Sequence, residues 1–442
     1  MSSRLTLGAM IFLLPGISIA ATSGPAIPDT PAGHTLGAWL AAFNSGDSAS
    51  IDSFDSAHAP WLTLDRAMDL RAGTGGYELL NIKESDDLWI VFRAKEKATP
   101  KEVIGRLVLD SGNRAVISHL RLQDLSPDAG FEGDTLDAKE RGRVIDSVAK
   151  VLEDFYVFPD LAKSMSAALR IHEKRGAYRK IAEGDLLAVR LTDDLLAVSH
   201  DKHLSVRFSA EIVPPDDTAK PPDPLVRKRL ASSNCGFEKA EHLAPNIGYL
   251  KFNFFADPEI CASTAAAAIN FLADSDALIL DVRDNHGGAG AMVEFISSFL
   301  FAESTHLDDV YRRRENATYE SWTLAYVPGK KYIGKPVLML TSKRTFSAAE
   351  DLCYALKNLK RATLIGETTG GGAHPVDPHR IDDHFSIMVP SGRSISPITK
   401  TDWEGTGVEP DIKVGAADAL DEALKRAREQ TASAGSPRSD AP

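Results

Sequence analysis

Cysteine is scarce in this sequence: three residues, Cys235, Cys261 and Cys353, among 442. Three thiols cannot build a disulfide scaffold, and no CxxC pair or Cys/His spacing points to zinc, so no metal and no cofactor is assigned. Cys235 and Cys261 could pair across the strand read at 247–254; three unpaired thiols is the equal alternative. Basic charge is also short, with 50 lysines and arginines against 62 acids, a net charge of −12 and no long basic run. Nucleic acid is thereby excluded as a partner, because phosphate binding needs clustered cations. Beyond the first 20 residues there is no apolar run near the ~20 residues that span a bilayer.

The N-terminus is different. In "MSSRLTLGAMIFLLPGISIAATSG", Arg4 makes a small basic region and Leu5 to Ile19 an apolar stretch that Pro15 interrupts. Small residues at Ser18 and Ala20 complete the pattern of a signal peptide over 1–20, cleaved near Ala20, so a periplasmic or secreted protein is expected. An uncleaved anchor is the alternative, and the segment is short for it. A Pro/Gly-rich linker follows over 21–34. With 43% apolar and 25% charged residues the remainder reads as ordinary globular protein, long enough for about three domains.

Residues 35–125 pattern as a helix followed by antiparallel strands, a small α+β domain that resembles the nuclear-transport-factor-like domains in its helix pattern. Residues 135–225 read as a helical bundle, then a half-buried strand in "DKHLSVRFS", then a loop with five prolines between 214 and 224. Over 226–425 apolar strands alternate with helices, which implies an α/β domain with a parallel sheet covered on both faces. The tail at 426–442 is polar and reads as disordered.

In such sheets reactive groups gather beyond the carboxyl ends of the strands. Two loops have that position: Asn285-His286-Gly287-Gly288 and Arg344-Thr345-Phe346-Ser347. Ser347-Ala348-Ala349-Glu350 fits a capping box, which alone would account for the serine. Yet helix-start N–H groups and glycines that admit a ligand close to the backbone are also what an oxyanion needs. The N–H of Gly287 or Gly288, with that of Ala348, could serve a nucleophilic Ser347. Cys353 lies in the apolar stripe of the same helix and reads as core. Asp281, Arg283 and Asn285 read as loop-fixing groups. Lys343, Arg344 and the run Arg312-Arg313-Arg314 read as solvated charges.

"DVRDNHGG", "TSKRTFSAAE", "IGETTGGGAHP" and "DWEGTGVEPDI", with the lead-in "VIDSVAKVLEDFYVFPD", resemble the tail-specific (C-terminal-processing) serine peptidase superfamily. The branch is the one that includes tricorn protease and interphotoreceptor retinoid-binding protein, and the resemblance spans roughly 138–415. It implies a ClpP/crotonase-like fold of stacked β-α-β units preceded by a helical bundle. It also implies Ser347 as nucleophile, His203 as base, Glu404 as its carboxylate partner, and Ala348 with Gly287 or Gly288 as oxyanion donors. His286 and His374 are alternative bases. The substrate would be peptide or unfolded protein, and an oligomer is compatible with the family.

Two departures stand out. The lysine of the family's Ser–Lys dyad is replaced by glycine in "TTGGGAHP", and 209–245 is too short for a PDZ module. In addition Lys202 precedes His203 where tricorn has a serine. A binding protein for hydrophobic ligands of lipid or retinoid type is the rival reading, and an acyl-CoA hydratase of crotonase type a third.

Overall fold

The computed structural model describes residues 25–59, 62, 64–110, 113–124, 136–209, 212–215 and 224–435. The signal peptide read at 1–20 and the last residues of the tail, 436–442, lie outside them. The chain divides into two compact units between Phe131 and Glu132.

In the first unit, α1 (Pro31–Ser45) begins inside the segment read as a linker. The Thr30 side chain accepts the Gly33 N–H at 3.0 Å, Pro31 occupies the first turn, and the helix stops at Gly46 with φ +70°. After α2 (Ser48–His58) and α3 (Leu64–Thr74) come β1 (Tyr77–Ser85), β2 (Trp89–Glu96), β3 (Glu102–Leu109) and β4 (Ile117–Asp124). These four form an antiparallel meander in sequence order. Leu36, Trp39 and Phe43 of α1 cluster with Ile90 and Phe92 of β2 and Leu107 of β3, so one helix stripe covers one sheet face.

The second unit opens with α4 (Ala138–Phe155), α5 (Pro159–Lys174) and α6 (Gly184–Ser199). A full capping box starts α4, Asp137 taking the N–H of Glu140 at 2.8 Å and Glu140 returning to the N–H of Asp137 at 3.0 Å. Then follow β5 (Ser205–Phe208), α7 (Pro224–Ser232), β6 (Phe237–Leu243), β7 (Ile247–Phe252), α8 (Pro258–Phe271), β8 (Ala277–Asp281), α9 (Gly290–Ser298), β9 (His306–Arg312) and β10 (Ala317–Trp322). The rest is β11 (Val337–Thr341), α10 (Ala348–Asn358), β12 (Thr363–Gly366), β13 (Val376–Arg380), β14 (Phe385–Pro390), β15 (Gly392–Ile395), β16 (Ile412–Lys413) and α11 (Ala419–Gly435).

The main sheet runs β16-β12-β11-β8-β7-β6, parallel except for the antiparallel edge pair β6–β7. This is the α/β class expected, in stacked β-α-β form after a helical bundle. Its central strands are buried along their whole length, as strands covered on both faces must be. Leu278, Leu280 and Met339 pack with α8, α9 and α10, whereas Ile279, Leu338 and Leu340 pack with Ala419, Ala423 and Ala427 of α11. That alanine stripe corrects the reading of the tail: residues 426–435 are helix, because alanine at every fourth position lets α11 lie close on the sheet. The Pro-rich loop is described only in part.

Cys235 and Cys261 form a disulfide, with their Cα atoms 5.9 Å apart, joining the entry of β6 to α8. Cys353 is free and buried in the core, as read. Two further three-stranded sheets, β10-β9-β15 and β13-β14-β5, belong to the same unit. The hairpin β9–β10 falls in a stretch whose polar sequence concealed it. Because β8 and β11 are neighbours in parallel register, the loops that leave their carboxyl ends lie side by side.

Candidate active site

Ser347 sits at the turn from β11 into α10 with φ +56° and ψ −123°. A helix N-cap normally has extended backbone, and a non-glycine residue at positive φ is uncommon and strained. Glu350 takes the Ser347 N–H on Oε2 at 2.9 Å, so half of the capping box is present. Capping does not call for the positive φ.

The glycine loop meets this turn. Gly287, at φ +95°, lies so close that a β-carbon there would fall 2.7 Å from Ser347 Cβ and 3.0 Å from the Ala348 nitrogen. Its own N–H is donated to Asn285 Oδ1 at 2.9 Å, and Asn285 also gives its side-chain N–H to Phe252 O and accepts the Phe346 N–H. Gly287 is therefore a spacer and not a free donor, which corrects one of the two glycine readings. The N–H groups of Gly288 and Ala348 donate to no acceptor among the described residues. Asp281 and Arg283 are loop-fixing as read: Arg283 bonds both Asp281 oxygens and the carbonyl of Ala416.

Glu350 is the anchor of the far wall. Fully buried, it accepts the N–H groups of Gly371 (2.7 Å) and Gly372 (2.8 Å) and the Thr369 hydroxyl (2.5 Å) as well as that of Ser347. Burial pushes its carboxyl upward, and these donors oppose the shift.

His203 is not on the strand, as its sequence pattern suggested, but in the turn just before β5. Asp201 Oδ1 accepts its N–H at 3.1 Å, and Lys202 fixes the same turn by donating to Gly370 O at 2.6 Å. The imidazole lies against the Phe346 ring, centroids 4.7 Å apart, one residue from Ser347. Both ring nitrogens are buried without a partner, so no Ser347–His203 hydrogen bond is formed here. Burial pulls its pKa down to about 4, with Asp201 acting in the opposite direction.

Behind it lies a cluster that the sequence did not disclose. His374 Nδ1 is 2.6 Å from Asp201 Oδ2, both residues being buried, and the Tyr156 hydroxyl reaches the same oxygen at 3.1 Å. Glu404 Oε2 lies 3.6 Å from His374 Nδ1 and accepts the Ala373 N–H at 2.6 Å; Oε1 is buried and unpartnered. Burial first, then the charge of Asp201, raises Glu404 to about 7. Although burial alone would lower His374, its carboxylate neighbours raise it. Glu404 thus faces His374 and not His203. Asp201 was missed, although its place two residues before His203 was the available signal. The ligand atoms of Asp201, His374 and Glu404 all lie within 4.8 Å, close enough for a metal ion, but a 2.6 Å hydrogen bond already joins two of them.

His286 is exposed. Arg344 pairs with Asp284, and Arg312 with Asp377 at 3.3 Å, while Arg313 donates to the carbonyls of Glu153 (2.8 Å) and Tyr156; these are structural contacts and not solvated charges. A cavity of about 340 Å³, lined by Arg393, Ser394, Ile395, Lys400, Thr401 and Asp402, adjoins Glu404 through the Asp402–Glu404 hydrogen bond.

Comparison with known families fits this arrangement. Residues 246–414 match peptidase family S41, and 138–234 match the N-terminal domain of that family in eukaryotic IRBP; together these cover more than half of the chain. The chain belongs to peptidase family S41. Among curated relatives, the chloroplastic carboxyl-terminal-processing peptidase 2 of Arabidopsis thaliana is 30% identical over 196 residues, 42% of this chain and 36% of the relative. The carboxyl-terminal-processing protease of a Synechocystis species is 30% identical over 168 residues, 38% and 37% of the two chains. The S41 chain matches little more than a third of the length of these relatives. Among solved structures, the photosystem II D1 C-terminal processing protease aligns with TM-score 0.40 at 16% identity, over 64% of this chain and 94% of that one. Tricorn protease aligns with TM-score 0.42 at 14% identity, over 80% and 42%. At these scores the likenesses add nothing to the fold described above. Among the described residues no helix is long and apolar enough to cross a membrane.

Proposed function

We propose that this chain is an exported serine peptidase acting on peptides or unfolded proteins. The observation that carries the reading is the backbone of Ser347: positive φ at a helix start, pressed against Gly287, with the N–H groups of Ala348 and Gly288 unclaimed. Ser347 attacks the scissile carbonyl and the two N–H groups hold the oxyanion, an interaction whose loss typically costs ~10²–10³ in turnover. His203 takes the serine proton. It is neutral above about pH 5, given its pKa near 4, and its ring lies against Phe346, the residue before Ser347. Apo sites often hold such hydrogen bonds long and close them on substrate. Asp201 fixes the turn that carries His203, and Glu404 stabilises the His374–Asp201 pair behind it.

Export rests on the N-terminal signal pattern, and the Cys235–Cys261 disulfide supports it, since such bonds persist in oxidising compartments. The test is hydrolysis of a denatured protein such as reduced casein by the purified chain, followed by gel and mass spectrometry. Cleavage that Ser347→Ala abolishes is expected; cleavage that survives the substitution would overturn the assignment.

A further inference from the structure

Where β7 ends, the chain passes the glycine loop as Asn253-Phe254-Phe255. Backbone bonds hold this segment on two sides. The Asn253 carbonyl accepts the His286 N–H at 3.2 Å, the Phe255 N–H goes to Gly287 O at 2.8 Å, and Phe255 O accepts the Ala289 N–H at 2.7 Å. The Asn253 N–H goes the other way, to Gly236 O at 2.9 Å, beside the Cys235–Cys261 disulfide. Two glycines at positive φ make room for Phe254 between them. A β-carbon on Gly236 (φ +82°) would fall 3.0 Å from Phe254 Cβ, and one on Gly288 (φ +137°) would fall 3.1 Å from its ring carbon Cε2.

Although its backbone is pinned in this way, the Phe254 side chain is 42% exposed. A single apolar side chain at a surface needs no explanation, but the place of this one does. Its ring stands against Gly288, whose N–H is unclaimed, and the adjoining Gly287 lies against Ser347. The charges beside it are already matched: Lys251 pairs with Glu238 at 2.9 Å and with Asp284 at 3.0 Å, and Arg344 pairs with Asp284. The Asn253 side chain donates to Glu238 at 2.6 Å. What this flank of the site leaves open is therefore apolar. Ligand sites combine a few orienting polar groups with apolar and aromatic walls, and here a fixed aromatic ring adjoins two oxyanion donors.

We propose that Phe254 is a specificity-determining residue, its ring forming the wall that takes a leucine- or phenylalanine-like side chain next to the scissile bond. This rests on the peptidase reading above. The substrate side chain covers the open part of the ring while its carbonyl oxygen meets the N–H groups of Gly288 and Ala348. The apolar surface of both is removed from water, and a charged side chain in that place would lose hydration without gaining a partner.

The test digests a denatured protein with the full chain and maps the cleaved bonds by mass spectrometry. Fluorogenic peptides that differ only in leucine, phenylalanine, alanine or glutamate beside the bond give the kinetics. Bonds flanked by leucine or phenylalanine should dominate, and the leucine-to-alanine ratio of kcat/KM should fall about tenfold in Phe254→Ala, the scale on which apolar contacts discriminate. Phe254→Leu, which keeps an apolar wall, should keep most of that ratio. Should Phe254→Ala fail to fold, Phe254→Lys should raise cleavage beside glutamate relative to leucine. Cleavage without apolar preference, or unchanged ratios in a folded variant, would overturn the subsite and leave the peptidase reading intact. No cleavage, with Ser347 unreactive toward a fluorophosphonate, would remove the reading itself and the subsite with it.

Discussion

The Glu350 carboxylate accepts the backbone N–H of Ser347 at 2.9 Å and, from the same buried position, the N–H groups of Gly371 and Gly372. One side chain thus holds the Ser347 turn to the glycine loop that borders His203. What reads in sequence as the second half of a helix cap is the tie between two walls of the site.

Glu350→Gln tests that tie. An amide of the same shape turns an NH₂ toward donors that had faced oxygen, leaving buried N–H groups unpaired. A loss of about 2–4 kcal/mol in urea denaturation is expected, with a large fall in hydrolysis. Unchanged stability would mean that the loop is held by other contacts.

The φ of +56° at Ser347 separates cap from nucleophile. Were Ser347 chiefly a cap, Ser347→Ala and Ser347→Gly would both destabilise, alanine by about 1 kcal/mol. Because the residue sits at positive φ, Ser347→Gly should relieve strain and raise stability by about 0.5–1 kcal/mol while abolishing hydrolysis. Denaturation midpoints of the three proteins decide between these.

Gly287→Ala adds a β-carbon 2.7 Å from Ser347 Cβ at a φ of +95°. The expected outcome is a loss of about 1–3 kcal/mol and near-complete loss of hydrolysis, although Gly287 donates nothing to an oxyanion. Retained activity would show that the loops do not meet as described.

Two groups give opposite pH dependences of stability. His203 is lowered from 6.5 to about 4, so between these values the unfolded chain binds more protons and its contribution to stability is lost as pH falls. Glu404 is raised from 4.5 to about 7, so the folded chain binds more protons in that window and stability is lost as pH rises through it. Glu404→Gln should therefore flatten the decline between pH 4.5 and 7, and His203→Ala should flatten the acid-side loss between 6.5 and 4. Urea denaturation across pH 4–8 measures both.

Much of this was legible in the sequence because strand–helix alternation and glycine loops are local patterns. Ser347, Gly288 and Ala348 follow from where strands end and helices begin. His203 was harder to place: alternation put it on a strand face, whereas Asp201 and Lys202 hold it in a turn by contacts to His374 and Gly370, some 170 residues away. No period or spacing encodes such contacts. For the same reason Gly287 reads as a donor until Asn285 is seen to occupy its N–H. The alanine stripe of α11 hid because polar residues surround it, and only the sheet beneath shows why it is helix.

The most direct measurement treats the purified chain with a fluorophosphonate, determines its intact mass and maps the adduct by peptide mass spectrometry. The account predicts one adduct, on Ser347, absent in Ser347→Ala, strongly slowed in His203→Ala, and with a rate that in the wild type rises with pH through about 4 and not 6.5. A folded protein that stays unlabelled, or is labelled equally well without His203, would contradict it.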